Sequence, residues 1–110
     1  MTDKPFQIFR LAALLEVPGA LATFEYLQDE VWELIKFLRI NNLASDDCLP
    51  NTKDEVTREF RLMSTDVTEE GLRVLRGGFH KWIDKNDNIN RTSIDMAPLE
   101  KALEKVRGNK

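Results

Sequence analysis

The longest stretch of helical periodicity in this 110-residue chain lies in residues 20–41. Apolar side chains recur there at intervals of three and four residues, which is the period of one face of an α-helix. They are Leu21, Phe24, Leu27, Val31, Leu34, Ile35 and Leu38. The pattern predicts one long amphipathic helix that ends at Asn41 and Asn42.

The same segment carries apolar side chains partly outside that face, at Trp32, Phe37 and Ile40. A helix that is apolar on two sides is either central to a fold or half of an oligomer contact. We therefore expect this helix to be central, and a homodimer is the commonest assembly that would bury a surface of this kind.

Three further segments show helical periodicity, namely residues 5–17, residues 66–85 and residues from about 95 to 107. In the second of these, Asp66 or Thr68 can cap the first turn. Gly77 and Gly78 lie in its middle, where glycine weakens a helix. We interpret the two glycines as a place where a neighbouring helix approaches closely.

Residues 53–64 fit two patterns. Val56, Phe60 and Met63 have helical spacing behind a capping box at residues 52–55. Val56, Arg58, Phe60 and Leu62 also alternate as in a strand. We favour a short helix, because no second convincing strand is found to pair with it. The prediction is therefore a compact all-α domain, a bundle of four or five helices that spans residues 1–110.

Composition argues against several classes of function. One cysteine excludes an intramolecular disulfide and a Cys-rich zinc site, and one histidine removes most metal-centre and triad chemistry. The net charge of −3 disfavours a nucleic-acid binder, which normally carries a basic excess. We predict a protein that is not an enzyme and needs no cofactor.

Two local patterns resemble sites without completing one. Asp84, Asn86 and Asn88 match the first three ligand positions of a calcium loop, but Ile89 stands where that loop requires glycine. His80 and Asp84 are four residues apart, a spacing more typical of a contact on a helix surface than of a catalytic pair. The sequence therefore predicts no metal ligand and no catalytic residue.

The candidate partner-binding residues are acidic. Glu25, Asp29 and Glu33 repeat every four residues along the longest predicted helix, with Glu30 close by. Charge is also unevenly distributed, since residues 1–50 carry four basic and eight acidic side chains. The alternatives are a solvated helix face, which is the commoner outcome, and a docking surface for a basic protein partner.

A second hypothesis uses residues 53–85. Arg58, Arg61, Arg73 and Arg76 could form a basic patch on a small regulatory DNA-binding protein. Acidic residues interleave with these arginines, so a surface that reads DNA is the weaker interpretation.

The segment from residue 65 to residue 106 resembles small uncharacterised bacterial proteins, some of which are similar to immunity partners of bacterial toxins. The resemblance rests on three sequences: Thr68-Glu69-Glu70-Gly71, Lys81-Trp82-Ile83-Asp84-Lys85 and Leu99-Glu100-Lys101-Ala102-Leu103. It implies a bacterial interaction protein and no catalytic residue. We therefore expect an immunity-like or antitoxin-like protein that neutralises a basic partner, such as a toxin domain.

The predicted compartment is the cytoplasm, with no membrane partner. The apolar run from Leu11 to Leu15 is interrupted by Glu16 and Pro18, which leaves it short for the core of a signal peptide. No uninterrupted apolar stretch approaches the length of a membrane span.

Overall fold

The computed structural model describes residues 5–15, 24–44, 49–86 and 94–108. Its regular elements are strand β1 (Gln7–Arg10), helix α1 (Leu11–Leu15), helix α2 (Phe24–Ile40), strand β2 (Arg61–Met63), helix α3 (Glu69–Asn86) and helix α4 (Ala97–Gly108). Two short 3-10 turns, Lys53–Glu55 and Ser64–Asp66, lie before and after β2.

The fold is α+β, so the all-α prediction is wrong. β1 and β2 pair as a two-stranded antiparallel sheet. β1 occupies residues predicted to be helical, and the helix in that region begins only at Leu11. In residues 53–64 the predicted short helix is wrong for residues 61–63, which form a strand. The apolar spacing of residues 5–17 fits a helix locally, but pairing with the distant residues 61–63 overrides it.

A β-bulge sets the register of the sheet. Arg10 pairs with Arg61, Phe9 with Leu62 and Gln7 with Met63, with the irregularity between Gln7 and Phe9. Phe9 and Leu62 are buried, so one face of the sheet belongs to the core. The pairing continues beyond the strands, since the Leu11 amide donates to the Phe60 carbonyl at 2.9 Å and the Ser64 amide to the Phe6 carbonyl at 2.8 Å.

α2 supplies the centre of the core, as its periodicity predicts. Leu27, Val31, Leu34, Ile35 and Leu38 are all buried. The predicted start of this helix at residues 20–23 lies outside the described residues. Asn41 and Asn42 do end it, and Asn42 adopts a positive φ of 59°.

α3 and α4 pack closely along the two glycines of α3. A methyl group on Gly78 would lie 2.9 Å from the carbonyl oxygen of Pro98 and 3.0 Å from Cβ of Ala102. The predicted close approach of a neighbouring helix is therefore confirmed. Thr68 provides the predicted cap, because its Oγ1 accepts a hydrogen bond of 3.0 Å from the Gly71 amide.

The connections between helices also supply core residues that the periodicity did not predict. They are Leu43, Leu49, Val56 and Val67. Arg39 holds one of these connections, since its guanidinium donates to the carbonyls of Leu49 at 2.8 Å and Pro50 at 2.6 Å. In the part of the chain that the structure describes, no helix has the length and apolar character needed to cross a membrane.

Candidate functional site

The outer face of α2 carries three of the four predicted acidic residues. Glu25 is exposed, and the side chains of Asp29 and Glu33 are 45% and 36% exposed. Residues four positions apart lie on the same side of a helix, so the three carboxylates form one row. We call this row the acidic face.

Glu30 is not part of the acidic face, because it is buried, with 2% of its surface exposed. Its position on the helix is intermediate, about 40° around the axis from Leu34 and about 60° from both Leu27 and Glu33. Periodicity alone could not decide between the two sides. Tertiary packing places Glu30 on the core side, which corrects the expectation that it would be exposed with the other three.

Lysines accompany two carboxylates of the acidic face. Lys36 lies 2.7 Å from Glu33 and 5.8 Å above the ring of Trp32. Lys53 forms an ion pair and a hydrogen bond with Asp29, which raises the pKa of Lys53. Among the described residues, Glu25 has no basic side chain within ion-pair distance. The acidic face is thus partly neutralised by the chain itself.

Gln28 of α2 holds the backbone of Lys53 beside the helix. The side-chain amide of Gln28 donates to the carbonyls of Lys53 and Val56, at 3.1 and 3.0 Å. Sequence reasoning missed Lys53 as a neighbour of Asp29, because the two residues come from different elements. No local pattern relates them.

The four arginines of the DNA-binding hypothesis line three different cavities. Arg58 and Arg61 line one cavity of about 460 Å³. Arg76 lines another, of about 290 Å³, and Arg73 lines a groove of about 220 Å³ between α3 and α4. Lys81, Lys101 and Lys105 also line this groove.

His80 and Asp84 do not form a catalytic pair in the described residues. His80 is exposed, lies against the ring of Phe79 and lines the cavity with Arg76, whereas Asp84 does not line that cavity. No hydrogen bond joins the two side chains within the described part of the chain. The pair is a feature of the surface of α3.

Most of the candidate calcium loop, residues 87–93, lies outside the described residues. Its flanking residues have structural partners. The Asp95 carboxylate accepts a hydrogen bond from the Ala97 amide at 2.9 Å and pairs with Lys85 at 3.1 Å, and these contacts lower the pKa of Asp95. The buried Asn86 side chain exchanges hydrogen bonds with the backbone of Asp95, at 2.7 and 2.9 Å. These contacts join the end of α3 to the start of α4.

Within the described ranges, no group of three or more His, Cys, Asp or Glu side chains could hold a metal ion. No family model, no curated protein and no solved structure matches this chain. The resemblance to toxin-immunity partners therefore stays a prediction.

Proposed function

We propose that the chain is a non-enzymatic bacterial interaction protein of the immunity or antitoxin type, which acts in the cytoplasm. It binds and neutralises a basic protein partner through the acidic face of α2. The observation that carries this proposal is the row of Glu25, Asp29 and Glu33, spaced one turn apart on an exposed side of the central helix.

The lysines beside the acidic face are compatible with docking. Ion pairs between exposed side chains contribute only about 0–1 kcal/mol each, so arginines of a partner can replace Lys36 and Lys53 at low cost. A partner can pair with the Glu25 carboxylate without displacing a lysine of the described residues. Long-range attraction acts before contact, so the row contributes mainly to the rate of encounter.

Glu30 has no direct role in this proposal, because a buried carboxylate cannot contact a partner. Glu30 instead lies on the core-facing side of α2. The docking surface is therefore three residues rather than four.

The test compares association rates. The partner is first captured from the source cell, and its association is then measured with the wild-type chain and with the triple variant Glu25→Lys, Asp29→Lys, Glu33→Lys. We expect the variant to associate more slowly at low salt, with the difference shrinking at high salt as charges are screened.

The matched control is the double variant Glu100→Lys, Glu104→Lys, which reverses exposed carboxylates on α4. It should associate nearly as fast as the wild type. If the triple variant and the wild type associate equally fast at low salt, the acidic face is only a solvated surface and the proposal fails.

We do not extend the proposal to DNA binding by residues 53–85. A protein that binds duplex DNA needs a contiguous basic face. Here carboxylates interrupt the arginines, since Glu59 lines the cavity of Arg58 and Arg61, and Glu69 pairs with Arg73 at 2.8 Å. Titration with duplex DNA should accordingly show no strong, salt-dependent binding.

A further inference from the structure

Three arginines line an open cavity of about 460 Å³ on the outer side of the sheet. The cavity is lined by Gln7, Arg10, Ala12, Arg58, Glu59 and Arg61. Arg10, Arg58 and Arg61 are exposed, and among the described residues none of them has a carboxylate within ion-pair distance. Of the described residues that line the cavity, Glu59 alone is acidic, which leaves an excess of positive charge.

The β-bulge of β1 builds one side of this cavity. In a regular strand, residues three positions apart point to opposite faces. The extra residue between Gln7 and Phe9 restores Gln7 to the face of Arg10, while Phe9 points into the core. Bulges commonly redirect a side chain in this way next to functional sites.

The pairing of the two strands places like charges opposite each other. Arg10 and Arg61 are direct cross-strand partners, and like charges at such positions destabilise a sheet. Each side chain could have been neutral without affecting the core, because both are exposed. A bound anion between them would turn the repulsion into two favourable interactions.

Arg58 is held by an aromatic ring. Its guanidinium carbon lies 5.1 Å from the ring centroid of Phe24, a cation–π contact that restrains the side chain. A guanidinium offers a planar fork of N–H donors that matches phosphate oxygens, and an arginine restrained before binding loses less entropy. The amide of Gln7 adds a neutral donor to the same cavity.

We propose that this cavity binds a small polyphosphate anion, such as the diphosphate group of a phosphorylated metabolite. Arg10 and Arg61 contact it from the two strands, and Arg58 contacts it from the connection before β2. Three arginines and one glutamate suit a ligand with at least two negative charges. The inference is independent of the acidic face and of any protein partner.

The test uses pyrophosphate as the probe and the melting temperature of the full chain as the readout. Sodium chloride of equal ionic strength is the reference, since salt alone also screens the repulsion between arginines. We expect pyrophosphate at tenfold its Kd to raise the melting temperature at least about 5 °C above the sodium chloride value.

Two variants locate the site. Arg61→Gln and Arg10→Gln should each abolish most of the additional shift, whereas Arg61→Lys should keep part of it, because it keeps the charge and loses the fork. The matched control is Lys101→Gln, which removes one exposed positive charge on α4 and should keep the full shift. Two variants on different strands keep the test usable if one of them does not fold.

Several results would overturn the proposal. Pyrophosphate that stabilises the wild type no more than sodium chloride would do so, as would an unchanged shift in both arginine variants. An equal shift from citrate would show a general polyanion surface rather than a phosphate site. Tighter binding of a single-stranded oligonucleotide, lost in the same variants, would assign the cavity to a nucleic-acid backbone instead.

Discussion

Two glutamates of α2 have opposite environments although they are only five positions apart. Glu25 is exposed, whereas Glu30 is almost completely buried. We expect Glu25→Lys to lower the free energy of unfolding by no more than about 1 kcal/mol, because the side chain is exposed and the main loss is the interaction of its carboxylate with the N-terminal end of the helix dipole. Glu30→Lys should lower it by about 3 kcal/mol or more, because it places a new cation in the interior.

Urea denaturation of the two variants measures this difference. The two substitutions make the same chemical change on the same helix, so burial is the main difference between them. Equal effects of the two substitutions would contradict the interior position of Glu30.

Glu70 links α3 to the end of α4 through charge. The guanidinium of Arg107 lies 2.9 Å from its carboxylate, and this hydrogen bond lowers the pKa of Glu70. A carboxyl whose pKa is lower in the folded state stabilises the fold above its unfolded pKa, and this stabilisation is lost as the pH falls through the folded pKa.

We therefore expect Glu70→Gln to melt below the wild type at pH 7. The gap should close as the pH falls through the lowered folded-state pKa of Glu70, because the wild-type carboxyl then becomes protonated as well. Thermal melts of both chains across this range measure it. Glu69→Gln, which also removes a carboxylate from the first turn of α3, is the control and should give a smaller pH-dependent gap. A gap that stayed constant down to pH 2 would rule out the Glu70 carboxylate as its source.

The contact between α3 and α4 depends on Gly78 more than on the adjacent Gly77. A Cβ on Gly78 would meet the Pro98 carbonyl at 2.9 Å, whereas a Cβ on Gly77 would have its nearest contact at 3.7 Å. We expect Gly78→Ala to destabilise the protein by about 1–3 kcal/mol, since the helices would have to separate. Gly77→Ala should stabilise it by up to about 1 kcal/mol through helix propensity.

Chemical denaturation of both variants provides the comparison. The two glycines are adjacent, and the substitution is identical. Only their distance from α4 distinguishes them. The packing described here would be refuted if Gly78→Ala were as stable as Gly77→Ala.

The sequence predicts the elements whose signal is local. Leu27, Val31 and Leu34 repeat with the helix period, and they are buried as expected. Gly78 likewise marks a close helix contact, because only a short distance explains glycine there. In these cases the information lies within one or two turns of the chain.

The sheet could not be predicted in the same way. Phe9 and Leu62 are each compatible with a helix in their own segment, and only their pairing makes both segments strands. The cavity with three arginines was missed for the same reason, since Arg10 joins Arg58 and Arg61 only when β1 pairs with β2. For Glu30, the helix angle is intermediate, so its burial was decided by contacts that no local pattern contains.

The apolar surface of α2 available for self-association is smaller than expected. Phe37 is buried and Trp32 is half-buried beneath Lys36, whereas Ile40 remains 81% exposed. If a homodimer forms through α2, Ile40 must lie at its centre. Light scattering should then give about twice the 12.7 kDa mass of one chain. The variant Ile40→Asp should have the mass of a single chain.

A mass of one chain for the wild type at high micromolar concentration would reject the homodimer. The variant Phe6→Asp is the control, because Phe6 is the other large exposed apolar side chain among the described residues and does not belong to α2. It should leave the mass unchanged.

The sheet has a consequence for the order in which the molecule assembles. Arg10 pairs with Arg61, 51 positions later, whereas α3 and α4 follow each other directly in the chain. Closing a long loop costs more conformational entropy than closing a short one, so contacts between distant segments form late. We expect the helical hairpin of α3 and α4 to form first and β1 to join last.

Amide hydrogen exchange should reflect this order. The amides of Leu11 and Ser64, which bridge the strands, should exchange faster than those of Val74 and Leu75 in α3. An anion bound between Arg10 and Arg61 would slow the first two selectively, because it would hold together the last contact to form and the first to open.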